Sequence, residues 1–284
     1  MKAACLFFSL LAGFAAESCA EQPPPESLPC FPGAYYRKAV SSMDRWTGIE
    51  GIVRLPTPEF DPARVREGSG RYLDNASIYV GGRSATNEID AGLSWEVVRE
   101  ADGSVSRMAK AFRPFWRNEK WASGPAKPEY YFHPGDRVKM RCEVTTEPGK
   151  LRLEIQLLSR ASNPATTETP ELRARRSDPL SSLSVVFDAR SFGPDELQEF
   201  KRVNAIDQSG NEGKSAAPTR ASVSGAEWEE VWLLRGNTRV PMTSARFTDM
   251  RCPSPANVEV SPGKNPLLGG ERISIRGTAE TGSR

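Results

Sequence analysis

Glu88, Asp90, Ser94 and Glu96 recur at even spacing through Ser84 to Val97, while Ile89, Ala91, Leu93, Trp95 and Val97 take the alternate positions. A period of two predicts a strand with one buried face and a row of acids on the other. Carboxylates in a row repel one another and cost stability. The row is therefore either a solvated sheet face or the floor of a binding or catalytic cleft. A second acidic stretch runs from Ser224 to Trp232, with Glu227 and Glu229 on one face and Trp228, Glu230 and Trp232 on the other. If the tryptophans pack inward, Glu227 and Glu229 face the same kind of open surface as Glu88 and Asp90. Two acidic strands side by side would let one carboxyl ionise readily and another keep its proton, which divides base and acid roles.

Other chemistries have few residues to draw on. His133 is the single histidine and no two cysteines stand close together, which argues against Ser-His-Asp, Cys-His and ordinary zinc sites. No Gly-rich phosphate loop is present, and a net charge of +2 with both signs interspersed implies no nucleic-acid partner. Asp74, Asn75, Asp90 and Asp207 are oxygen donors, but their spacing does not match a calcium loop. No metal or cofactor is expected.

The positioning elements read as strands joined by Pro, Gly, Asp and Asn turns. Pro134-Gly135-Asp136 and Pro148-Gly149-Lys150 flank a strand with Val138, Met140, Cys142 and Val144 on one face, and Leu151, Leu153, Ile155 and Leu157 continue that face. Further strands are expected at 76–79, 183–188, 198–203, 219–223, 227–234, 245–250, 258–260 and 272–275, with 196–202 open to a short helix. This pattern predicts an all-β antiparallel sandwich or jelly roll, ahead of a barrel or two all-β domains. Met1-Lys2 followed by an apolar run and small residues to Ala20 reads as an export signal, so the chain is expected to be secreted, with no membrane span in the mature part. Residues 21–34 form a Pro-rich arm, and 35–284 form one domain with polar loops near 161–179 and 207–218. Cys30, Cys142 and Cys252 allow at most one internal disulfide. Their pairing is not fixed by sequence, although Cys142 and Cys252 are possible cross-strand neighbours.

Four motifs in order, Tyr79-Val80-Gly81-Gly82, Asp90-Ala91-Gly92-Leu93, Tyr131-Phe132-His133-Pro134-Gly135-Asp136-Arg137-Val138 and Gly225-Ala226-Glu227-Trp228, resemble those of the glutamic peptidases, the eqolisin family. The resemblance covers about Tyr79 to Phe247. It implies a concanavalin A-like fold of two seven-stranded antiparallel sheets and cleavage of peptide bonds in acid by a glutamine and a glutamate. Glu227 then stands at the glutamate position, while Asp90 stands where the family has glutamine. An amide donates a hydrogen bond to a tetrahedral oxyanion, whereas an aspartate does so only when protonated. On this reading ionised Glu227 activates water and protonated Asp90 polarises the carbonyl. Trp116 and Trp121 line the groove, and Glu88, Glu96 and Glu229 add polar contacts. The substitution equally fits a homologue that binds and no longer cuts.

Two other readings stay open. Glu88-Ile89-Asp90 resembles the start of the acidic strand of laminarinase-like glycoside hydrolases, but Gly92 occupies the next position on that face. Retaining chemistry needs carboxyls about 5 Å apart, against roughly 6.5 to 7 Å between alternate Cα atoms of a strand. Alternatively, the acids with Trp116, Trp121 and Tyr130-Tyr131 form a non-catalytic surface that binds polysaccharide. The expected partner is thus a peptide or protein substrate, or else a polysaccharide.

Overall fold

A computed structural model describes residues 21–66, 71–85, 87–96, 111–125, 127–161 and 182–279. The expected export signal and nearly all of the loop at 161–179 lie outside these residues. The strands are β1 (Ala34–Ser41), β2 (Gly48–Arg54), β3 (Thr57–Glu59), β4 (Asp74–Ser84), β5 (Asn87–Glu96), β6 (Ala111–Arg117), β7 (Trp121–Ser123) and β8 (Arg137–Val144). They continue as β9 (Lys150–Ser159), β10 (Ser182–Asp188), β11 (Gln198–Gln208), β12 (Ser222–Arg235), β13 (Thr238–Pro241), β14 (Phe247–Cys252), β15 (Val258–Pro262) and β16 (Glu271–Arg276). A seven-stranded sheet has the order β14-β1-β11-β4-β5-β6-β7. A nine-stranded sheet runs β10-β9-β8-β2-β12-β16-β15, with β13 and β3 also paired to β12. The fold is an all-β antiparallel sandwich consistent with concanavalin A-like topology. No helix of the described residues is long and apolar enough to cross a membrane.

The two sheets meet over one apolar core, to which each contributes its alternate residues. Ile89, Ala91 and Leu93 from β5 join Val138, Met140 and Cys142 from β8, and Leu151, Leu153 and Ile155 from β9, all fully buried. Removing so much apolar surface from water is the main force holding the layers together. Trp228 is also fully buried, and its indole N–H donates to Asn204 Oδ1 at 2.8 Å across the layers.

Several sequence expectations are corrected here. Residues 198–202 open β11 rather than a helix: ten of the eleven residues of Gln198–Gln208 are buried, so the strand is covered on both faces. The stretches 219–223 and 227–234 do not form two strands: β12 is continuous through register shifts near 223/226 and 228/230, with Gly225 at φ +74°. Cys142 does not neighbour Cys252; it points into the core, and Cys252 is joined to Cys30. That bridge fastens the Pro-rich arm beside β14. Thr248 Oγ1 donates to Pro25 O there, Arg246 pairs with Glu21 at 3.0 Å, and Leu28 packs against the cluster of Tyr36, Val40, Val203 and Met250.

Candidate functional site

Asp90 and Glu227 are expected as neighbours, and the structure does not bring them together. Asp90 lies on β5 of the seven-stranded sheet, between core residues Ile89 and Ala91. Glu227 lies on β12 of the nine-stranded sheet, between core residues Ala226 and Trp228. Since neighbouring side chains of a strand point to opposite faces, both carboxyls point away from the core, in opposite directions. Packed sheets sit roughly 10 Å apart, so the whole sandwich separates the two groups. Glu227 instead pairs with Arg272 at 3.4 Å and accepts from the backbone N–H of Lys264 at 3.1 Å. Glu229 shares this outer face despite the register shift between Trp228 and Glu230: it pairs with Arg137 at 2.8 Å and with Arg54, the register partner of Glu227, at 3.7 Å.

The outer face of the seven-stranded sheet carries the densest set of perturbed groups. Pairing registers place Lys201 of β11 opposite Gly81 of β4, and Gly81 opposite Asp90 of β5. Gly81 is what lets the lysine cross: a Cβ there would lie 3.0 Å from Lys201 Cε and 2.2 Å from Ile89 O. The Lys201 ammonium, 4% exposed, reaches Asp90 Oδ1 at 2.7 Å and also contacts Glu88 Oε1. Lys38 lies 3.5 Å from the same Glu88 oxygen. Burial alone would lower the Lys201 pKa, but the charges of Asp90 and Glu88 reverse that and raise it. Desolvation would raise Glu88; Lys201 and then Lys38 overcome it and hold the carboxyl down at about 2. Lys38 itself is lowered, first by burial and then by the charge of Lys201.

A second group on this face is perturbed the other way. Asp207, on β11 six residues beyond Lys201 and hence on its face, is pushed up to about 6. Burial is the main cause, opposed by a hydrogen bond from Ser77 Oγ at 2.6 Å and reinforced by the charge of Asp90. Tyr79 stands between these acids. Burial, then the charges of Asp90, Asp207 and Glu88, raise its phenol well above the usual value, so it stays protonated and remains a hydrogen-bond donor.

Aromatic rings complete the face. Phe115 stacks on Trp121 with centroids 4.3 Å apart and meets Tyr79 edge-on at 5.7 Å. Trp121 is 54% exposed on this face. Trp116 does not line this face: opposite Ala91 in register, it packs against the core. Gly92 lies opposite both Tyr79 and Phe115, where it allows their rings to meet. A Cβ at Gly92 would fall 2.5 Å from Tyr79 Cα. Gly92→Ala is therefore expected to cost about 2–3 kcal/mol as an overpacked site whose neighbour is backbone. Urea unfolding checks the cost, and loss of the near-ultraviolet aromatic signal checks the ring contact; an unchanged midpoint would refute this account of Gly92.

Glu88 shares the face as expected. Glu96 ends β5 opposite Ala111, and its side chain lies outside the described residues. Sequence reasoning missed Lys201, Tyr79 and, as an acid of this face, Asp207. The signals were the period of two along β11 and glycines inside β4 and β5, which mark where another group approaches closely.

No protein-family model and no curated protein matches the sequence. Among solved structures, scytalido-glutamic peptidase with a transition state analog inhibitor aligns at 11% identity and a TM-score of 0.50, over 86% of this chain and 98% of that one. SCP-B, described as a member of the eqolisin family of peptidases in complex with the tripeptide Ala-Ile-His, aligns at 12% identity and a TM-score of 0.46 over the same shares. The β-porphyranase BpGH16B from the human gut bacterium Bacteroides plebeius aligns at 9% identity and a TM-score of 0.17, over 63% of this chain and 54% of that one. The chain thus has a remote structural resemblance to the fold of the eqolisin, or glutamic peptidase, family at low sequence identity.

Proposed function

We propose that this chain is a secreted, acid-acting hydrolase of the eqolisin-like superfamily that cleaves peptide bonds on the outer face of its seven-stranded sheet, through Asp90 and Asp207 rather than Asp90 and Glu227. The observation that carries the reading is the opposed environments of one face: Asp90 beside a buried ammonium at 2.7 Å, and Asp207 raised to about 6. A carboxyl that keeps its proton into mild acid can serve as the acid beside an ion-paired carboxylate. Ionised Asp90, oriented by Lys201, takes a proton from the attacking water. Protonated Asp207 gives one to the leaving amine, and Tyr79, a neutral donor, takes the place of the missing glutamine amide at the developing oxyanion. The Phe115–Trp121 stack offers an apolar wall to the substrate.

The test is cleavage of a peptide library by the mature chain from pH 2 to 7. Turnover is expected in acid and to decline as pH rises through about 6, where Asp207 loses its proton. Asp90→Asn and Asp207→Asn are each expected to lower kcat about 100-fold or more, with Glu227→Ala near wild type. Loss of turnover in Glu227→Ala with full activity in Asp207→Asn would overturn the assignment. A second reading, peptide or polysaccharide binding without turnover, is favoured by one observation: Lys201 already engages both Asp90 and Glu88. Folded wild-type protein that binds peptide but never cuts it would select that reading.

A further inference from the structure

Lys38 has no part in the chemistry assigned above, yet it closes the pattern of charge around Asp90. On β1 it stands opposite Met250 of β14 and Val203 of β11, and Tyr36 and Val40, its neighbours on the same face, belong to the outer apolar cluster. An ammonium set among such residues costs free energy. A lysine usually carries its charge out to water along its stem. This one reaches across the sheet instead, and its ammonium lies 3.5 Å from Glu88 Oε1 on β5. We propose that Lys38 is a positioning residue of the centre: by sharing Glu88 with Lys201, it leaves the Lys201 ammonium to hold Asp90 as the carboxylate that takes a proton from the attacking water. This rests on the peptide reading above and adds to it a residue that touches neither the substrate nor a reacting atom.

The first argument is geometric. β1 and β5 are separated by β11 and β4, which is three inter-strand spacings or roughly 14 Å. An ammonium of β1 meets a carboxylate of β5 only where the two side chains lean toward one another over the strands between, so the face is concave here. Lys201 lies beneath that bridge, with its side chain 4% exposed against 22% for Lys38, and touches the same oxygen of Glu88. Lys38, Glu88, Lys201 and Asp90 thus form a chain of alternating charge whose sum is zero.

The second argument is electrostatic. Without Lys38, one buried ammonium faces two carboxylates, and the excess negative charge strengthens the hold of each on a proton. A direct opposite charge shifts a carboxyl by about 1–3 pH units; Lys38 stands one ion pair further from Asp90 than Lys201 does, so about 0.5–1 unit is expected. The other groups facing the set do not replace it. Glu199 of β11 is held by Arg83 of β4 at 3.1 Å. Arg117 of β6, the register partner of Asp90, is exposed to solvent. Burial raises the phenols of Tyr36 and Tyr79, which therefore stay neutral in acid.

The experiment measures peptide turnover from pH 2 to 7 in wild type, Lys38→Met and Lys38→Arg, and titrates the Asp90 carboxyl of the same proteins by carbon NMR, assigned through Asp90→Asn. Methionine keeps the packing of the stem and removes the charge, whereas arginine keeps the charge; thermal melts confirm that both variants are folded. Turnover of Lys38→Met relative to wild type is expected to be about three- to ten-fold lower at the acid end of the range than at pH 6, as an Asp90 titration moved up by about 0.5–1 pH unit requires. Lys38→Arg should restore both. The decline near pH 6 should stay in place, because the charges acting on Asp207 are those of Asp90, Glu212 and Arg117. A ratio constant with pH and an unmoved Asp90 titration would mean that the pair of Lys38 with Glu88 only ties β1 to β5; that result overturns the inference and leaves the peptide reading standing. Wild type that never cuts a peptide overturns that reading instead. The titration then decides alone: an Asp90 midpoint that moves in Lys38→Met and returns in Lys38→Arg supports the charge role of Lys38, and one that does not move overturns it.

Discussion

Replacing Lys201 with methionine is expected to destabilise the protein by about 2–3 kcal/mol at pH 7 and to abolish function on this face. Methionine keeps most of the volume in a site that is 4% exposed, so packing is largely preserved and the loss reports charge. Removing one member of a buried ion pair leaves the other uncompensated, which typically costs about 3–5 kcal/mol. That figure is reduced here because the Glu88 side chain is 53% exposed and water screens it. The pH dependence distinguishes this cause from lost packing. In the wild type Glu88 is held at about 2, below its unfolded value, so its contribution is present above the unfolded pKa and vanishes as pH falls through about 2. In Lys201→Met most of that contribution is absent, because only Lys38 still faces Glu88. The difference in melting temperature between the two proteins should therefore be largest near neutrality and shrink toward pH 2. A difference of constant size across that range would mean that Lys201 acts through its alkyl stem.

Much of the sandwich was legible because its strands have one wet face. The alternations of β5, β8 and β9 are unbroken, and each corresponds to a strand with its apolar set in the core. β1 was not anticipated, since Ala34–Ser41 is buried on almost every residue. The inner side of β1 packs on the core, while Tyr36 and Val40 on its outer side lie in a second apolar cluster joined by Leu28 of the arm. With both faces covered, the period of two disappears from the sequence.

The candidate site was half legible for a related reason. Alternation shows that Glu88 and Asp90 share a face, and equally that Lys201 and Asp207 do. It does not show that β4 lies between β5 and β11, or that Gly81 is the gap through which Lys201 reaches Asp90. Those facts depend on strand order, which is set by long-range pairing. Glu227 illustrates the opposite limit. Its outward orientation is conditional in the sequence and follows from the buried Trp228, but an outward residue has two possible outsides in a sandwich, and only the sheet assignment decides between them.

Asp207→Asn is expected to make the protein more stable at pH 8 and less active in acid. Burial raises this carboxyl to about 6, above its value in an unfolded chain. A raised group contributes stability that is fully present below the unfolded pKa and is lost as pH rises through the folded one. At pH 8 the native state must therefore hold an ionised carboxylate in a site that disfavours charge. A shift of about two units corresponds to roughly 3 kcal/mol, and for a domain of this size each kcal/mol moves the melting temperature by about 2–4 °C. Asparagine carries no charge, and its carbonyl oxygen still accepts from Ser77. The variant should melt several degrees higher at pH 8 and close to wild type at pH 4, by scanning calorimetry at both values. Equal melting temperatures at pH 8 would mean that Asp207 is well solvated, and the proposed proton donor would then have an ordinary acidity. If the gain in stability accompanies the loss of turnover, Asp207 is a residue kept at a cost to the fold, which is expected of a working acid and not of a structural one.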